Sequence, residues 1–150
     1  MLKKLIALVS SYKPPPSDVY APVRPPTRRG DVGHDLCVAK DTEIPVIGIT
    51  WIHTSVAIES RFPLWYMITA RSSLHKKGLM VPIGIIDAGY QGELIIPVVN
   101  CSGQPQEILR GDYIAQCIFL EVIQPKLVVV DEFTTSERGD NGFGSTEKKA

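Results

Sequence analysis

The chain has 150 residues, 44% of them hydrophobic, and its 16 basic side chains are matched by 16 acidic ones for a formal net charge of zero. That length suits one domain able to bury its own core, and the charge balance excludes a global field drawing the chain to nucleic acid or anionic lipid. The apolar stretch Leu5 to Val9 is far short of the roughly 20 residues a spanning helix needs. Although Lys3 and Lys4 precede it, it is too short for a signal peptide, and Tyr12-Lys13-Pro14-Pro15-Pro16 is no small-residue cleavage site.

In chain order, Leu2, Leu5, Ile6 and Val9 fall at helical spacing, over a window too short to separate helix from strand. Residues 10–30 carry Pro14, Pro15, Pro16, Pro22, Pro25 and Pro26, and read as an extended arm or linker, because proline removes backbone donors. Residues 1–22 are therefore an N-terminal arm or a first strand. Short runs rich in Val, Ile, Tyr and Trp follow, separated by Gly, Pro or Asp. The expected strands are Asp35–Ala39, Ile44–Ile58, Trp65–Ala70, Leu79–Ile83, Glu93–Asn100, Glu107–Leu109, Tyr113–Ile123 and Lys126–Val130. Their regular spacing predicts an all-β body over 23–130, a sandwich or barrel. After Val130 strand formers give way to a polar, glycine-containing arm, residues 131–150. Cys37, Cys101 and Cys117 are odd in number and far apart, which fits buried free thiols in a reducing compartment, cytoplasmic or nuclear.

Four segments carry possible chemistry. Arg71-Ser72-Ser73 follows a strand, where it forms either a plain turn or a set of hydroxyls and a guanidinium facing phosphate. Gly84 to Glu93 has apolar runs around a turn-prone centre and reads as a β-hairpin whose backbone can read a base edge. Within it Asp87 is a turn residue or a proton acceptor for water, and Tyr90 can stack on a sugar. Gln116 is a polar amide in an apolar strand, and it either bonds backbone or faces a ligand. Arg138-Gly139-Asp140-Asn141-Gly142-Phe143-Gly144-Ser145-Thr146 has too little apolar surface to build a core. It is either a polar tail or a lid, with amides, hydroxyls and a guanidinium for phosphate and a ring for a base. His34, His53 and His75 lack metal-site spacing, Arg110-Gly111-Asp112 reads as a turn, and the few aromatics are not interleaved with basic residues as single-strand binding requires.

Taken in order, Gly33-His34-Asp35-Leu36, Arg71-Ser72-Ser73-Leu74, Gly84 to Glu93, Gly111 to Gln116 and Arg138 to Thr146 resemble the five motifs of the trimeric dUTP nucleotidohydrolases, over about Val23 to Thr146. The wording Ser136 to Asn141 is similar to retroviral, especially lentiviral, members, which would imply association with a virion. The resemblance implies a jelly-roll-like β-fold and a homotrimer with shared sites. It also implies magnesium-dependent hydrolysis of dUTP to dUMP and pyrophosphate, with neither nucleic acid nor membrane as partner. By the same correspondence Asp87 would deprotonate the attacking water and Tyr90 would pack on the deoxyribose. Gly84, Ile85, Ile86 and the backbone to Tyr90, with Ile95 opposite, would read uracil. Arg71, Ser72, Ser73 and Gln116 would hold phosphates, and Arg138, Phe143, Gly144, Ser145 and Thr146 would form the lid. Asp35 would support magnesium only indirectly.

His34 stands where the family usually has Tyr, Ser73 where it has Gly, and Gly89 where it often has Asp. The Arg-Ser-Ser and Asp-Ala-Gly wording leans toward the related dCTP deaminases. Their glutamate falls at Pro97 here, which cannot ionise, and they lack such a Phe-Gly-Ser-Thr arm. A regulatory or binding module on the same fold is the remaining alternative.

Overall fold

The computed structural model describes residues 3–7, 23–60 and 62–139. Twelve strands and one helical turn make up the described chain: β1 (Lys3–Ala7), β2 (Val23–Arg24), β3 (Gly33–Cys37), β4 (Thr42–Ile44), β5 (Ile49–His53), β6 (Val56–Ser60), β7 (Leu64–Ala70), α1 (Ser72–His75), β8 (Leu79–Met80), β9 (Gly84–Ile86), β10 (Ile95–Asn100), β11 (Gln106–Ile108) and β12 (Tyr113–Glu121). The sheets run β2-β3-β12-β7-β9, β5-β10-β8, β4-β11 and β1-β6, the last pair parallel. This is the nearly all-β, jelly-roll-like architecture expected. Between the sheets lie Leu36, Ile44, Ile52, Leu79, Ile96 and Ile108, all with no exposed surface. Alternation along the strands puts them there: in β10, Ile96, Val98 and Asn100 face in while Ile95, Pro97 and Val99 do not.

Several sequence expectations are corrected. The ambiguous N-terminal window is a strand at Lys3–Ala7, paired with β6. The expected strand Ile44–Ile58 falls on three strands, broken over 45–48 and at Thr54–Ser55. Leu79–Ile83 is strand only at Leu79–Met80. Lys126–Val130 is no strand: Leu127 and Val129 are 89% and 98% exposed, and β-prone residues without a neighbouring edge have nothing to pair with. Nor is Gly84–Glu93 a paired hairpin. β9 takes the free edge of β7, whereas β10 pairs with β5 and β8, so residues 87–94 cross from one sheet to another. Of the three thiols, Cys37 and Cys117 are buried, but Cys101 is exposed.

Candidate active site

Two clusters emerge, at opposite ends of β7. The first is a cavity of about 640 Å³ walled by the 25–33 loop and floored by Asp35, Arg71, Ser72 and Gln116. Arg71 stands at the end of β7, and beside it β12 is irregular against β3 between Tyr113 and Ala115. The β7–β12 ladder continues one residue past Ala70, with Arg71 N–H donating to the Ile114 carbonyl at 3.0 Å. The short turn α1 then anchors Leu74 in the core and leaves Ser72 and Ser73 exposed beside Arg71.

Asp35 organises this floor. Its Oδ1 accepts from Arg71 Nε at 2.9 Å, and its Oδ2 accepts from Arg24 Nε at 3.1 Å and from Arg24 Nη2. Arg71 Nη1 also donates to the Tyr113 carbonyl at 3.2 Å, and the Arg24 guanidinium lies 4.3 Å from the Tyr113 ring centroid. With two guanidiniums on one carboxylate, the local charge is positive and Arg71 is held in a fixed orientation. Gln116 donates from Nε2 to the Ala70 carbonyl at 3.3 Å. It lies directly over Gly33: a Cβ there would overlap its Oε1 and come within 2.9 Å of its Cδ. Gly33 is glycine because the glutamine side chain occupies the space of a β-carbon.

The second cluster is the turn after β9. Tyr90 N–H donates to the Asp87 carbonyl at 3.2 Å, and both side chains are exposed. Ile85 and Ile95 are also exposed, at 58% and 39%. The β7–β9 register pairs Gly84 with Ile68 and Ile86 with Tyr66, so the chain runs away from Arg71 as it approaches Asp87. Asp87 comes one residue beyond the Ile86–Tyr66 pair, so about six residues' length of strand, about 20 Å, separates it from Arg71. One chain therefore does not bring Asp87 and Tyr90 to the cavity of Arg71, Ser72 and Gln116.

Arg138 is described and exposed, whereas Phe143, Gly144, Ser145 and Thr146 lie outside the described residues. His34 is not in the cavity: it packs edge-on against Phe119 (5.1 Å between centroids), and burial lowers its pKa. Residues 25–30, the end of the stretch 10–30 expected as an arm or linker, wall the cavity together with Asp31, Val32 and Gly33, with Asp31 N–H donating to the Arg28 carbonyl at 3.1 Å. Sequence reasoning missed Arg24. The signal was an arginine just before a double proline, close in sequence to the Gly33-His34-Asp35 run.

Among the described residues no three His, Cys, Asp or Glu side chains are placed to hold a metal ion. Both oxygens of Asp35 already accept from guanidiniums. Such a chain suits a hard cation that arrives on phosphate oxygens and water, because magnesium is rarely caged by protein alone. No helix among the described residues is long and apolar enough to cross a membrane.

The dUTPase family model matches residues 19–147, spanning both clusters and the arm. The chain belongs to the dUTPase family. The Pol polyprotein of equine infectious anemia virus (strain Wyoming) is 39% identical over 119 residues, 79% of this chain and 10% of the polyprotein. This dUTPase-family chain thus spans about a tenth of the length of the Pol polyproteins it matches. The deoxyuridine 5'-triphosphate nucleotidohydrolase of Legionella pneumophila (strain Paris) is 39% identical over 123 residues, 78% of this chain and 81% of the relative. Among solved structures, the Staphylococcus bacteriophage 80alpha dUTPase with dUpNHpp matches at a TM-score of 0.76 and 26% identity, covering 86% of this chain and 94% of that one. The native EIAV dUTPase matches at 0.67 and 32%, covering 76% and 94%.

Proposed function

We propose that this chain hydrolyses dUTP to dUMP and pyrophosphate, which keeps uracil out of DNA and supplies dUMP for thymidylate synthesis. The observation that carries this reading is the single family match over residues 19–147, which takes in the phosphate-facing cavity, the Asp87 turn and the arm together. Asp87 orients the attacking water and accepts its proton, the role of a general base. Arg71, Ser72, Ser73 and Gln116 hold the phosphates, and Arg138 with Phe143, Gly144, Ser145 and Thr146 closes over them to exclude bulk water. Gly84, Ile85, Ile86 and Ile95 line the uracil pocket, and Tyr90 packs on the deoxyribose. Magnesium, bound through phosphate oxygens and water, would neutralise phosphate charge.

The working unit is a homotrimer with each site shared between subunits. The separation of about 20 Å along β7 supports this, because a base and its phosphate cradle must meet on one nucleotide. Exposed Ile49, Trp51 and Met80, at 55%, 60% and 54%, supply apolar surface for subunit contacts.

Pyrophosphate release from dUTP, dCTP, dTTP and UTP, assayed side by side with magnesium, tests the reading. Strong preference for dUTP is expected. Comparable turnover of dTTP or UTP, or ammonia release from dCTP, would refute it.

A further inference from the structure

The turn carrying Asp87 and Tyr90 is fastened by a residue the proposed chemistry leaves unused. Ser55, in the corner between β5 and β6, is the one described non-glycine residue with positive φ, at 56°. A residue with a side chain persists there only where its surroundings fix it. Glu93 supplies that fixing: its Oε1 accepts from Ser55 N–H at 2.8 Å, and its Oε2 accepts from His53 Nδ1 at 3.0 Å. Next to it, Leu94 N–H donates to the Val56 carbonyl at 2.8 Å, and the buried Thr54 Oγ1 donates to the Leu94 carbonyl at 2.7 Å.

The same residue seats Tyr90. The Tyr90 hydroxyl donates to the Glu93 carbonyl at 3.3 Å, and its ring lies so close over Gly92 that a Cβ there would stand 2.5 Å from Cζ. The side chain of Glu93 therefore faces the strained corner while its backbone holds the tyrosine. A carboxylate is suited to the first task because it accepts from two donors at once, one backbone and one imidazole.

We propose that Glu93, latched to His53 and Ser55, is a positioning residue that seats Tyr90 and thereby sets discrimination against ribonucleotides. This rests on the proposed role of Tyr90 against the deoxyribose. Without the latch the corner relaxes, the Glu93 carbonyl shifts, and Tyr90 no longer closes the space a ribose hydroxyl would enter.

The test is steady-state kinetics of the full chain with dUTP and UTP, beside melting temperatures. Glu93→Ala should narrow the dUTP-over-UTP ratio of kcat/KM by about tenfold, the scale for losing a hydrogen bond to a charged group. Glu93→Gln, which keeps an acceptor for Ser55 N–H, should stay within about threefold of wild type, since the bond survives without its charge. A lower melting temperature with an unchanged ratio would mean a merely structural role and would overturn the proposal. If Glu93→Ala fails to fold, His53→Ala, which removes one of the two partners of the Glu93 carboxylate, should narrow the ratio in the same direction. An unchanged ratio in that variant overturns the proposal equally. A wild-type chain showing no preference for dUTP overturns the function proposed above, and this inference with it. A selective wild type with a Glu93→Ala variant equally selective overturns this inference alone.

Discussion

Gly33→Ala should act on the reaction entirely through Gln116. The new methyl would occupy the place of Gln116 Oε1, and 2.9 Å to Cδ is also too close, so the amide must swing out of the cavity. That breaks its bond to the Ala70 carbonyl and takes its donor away from the proposed phosphate site. Contact at 3.3 Å with Gln116 Cβ remains and asks only a small adjustment of the β3–β12 pair. The stability cost is that of mild overpacking, about 1–3 kcal/mol. A hydrogen bond to a charged phosphate is worth about 1.5–3 kcal/mol, so kcat/KM for dUTP should fall about 10- to 150-fold. Gln116→Ala should fall by a similar factor. The decisive assay is the double variant: once Gln116 is gone, Gly33→Ala should cost less than about twofold more, as expected of two residues sharing one interaction. Losses that multiply in the double variant, or a Gly33→Ala chain with wild-type kinetics, would refute the reasoning.

Asp87→Asn keeps size and most hydrogen bonding but removes the proposed base. It should cost about 10²–10⁴-fold in kcat while dUTP binding by calorimetry is largely kept, and near-normal turnover would place the base elsewhere. Glu93 gives a pH signature. Desolvation pushes its carboxyl up, but hydrogen bonds from His53 and Ser55 N–H and the charges of His53 and Lys40 outweigh it and hold the pKa below its ordinary 4.5. A depressed carboxyl stabilises the fold above its unfolded value and loses that contribution as pH falls through the folded one. The melting-temperature advantage of wild type over Glu93→Gln should therefore be present at neutral pH and close in the acid range below 4.5; an advantage that persists at full size there would contradict it.

The β-rich core and the Arg71 cluster were legible because their signals are local. Alternation placed Ile96 and Val98 inside, and Arg71-Ser72 stands at the end of the strand expected there. Gln116 left two readings open, and its amide both bonds backbone and lines the cavity. What stayed hidden depends on partners distant in sequence. Nothing near Gly84 says that β9 joins β7 and β10 joins β5, so the two apolar runs looked like a hairpin. Lys126–Val130 has strand propensity, but pairing needs an edge that the described chain does not offer it. Arg24 gains meaning only through Asp35, 11 residues on, and Glu93 only through Ser55, 38 residues back.

Mixing two inactive variants tests the shared site most directly. Asp87→Asn keeps the Arg71 cavity and Arg71→Ala keeps the Asp87 turn, and the β7 register holds these about 20 Å apart within a chain. Co-refolded in equal amounts into mixed trimers, the two should restore about a quarter of the wild-type sites, the random share in which an intact turn meets an intact cavity on a neighbour. No recovered dUTP turnover, in trimers shown by native mass spectrometry to contain both variants, would mean that turn and cavity serve one nucleotide within a single chain, and would contradict the account.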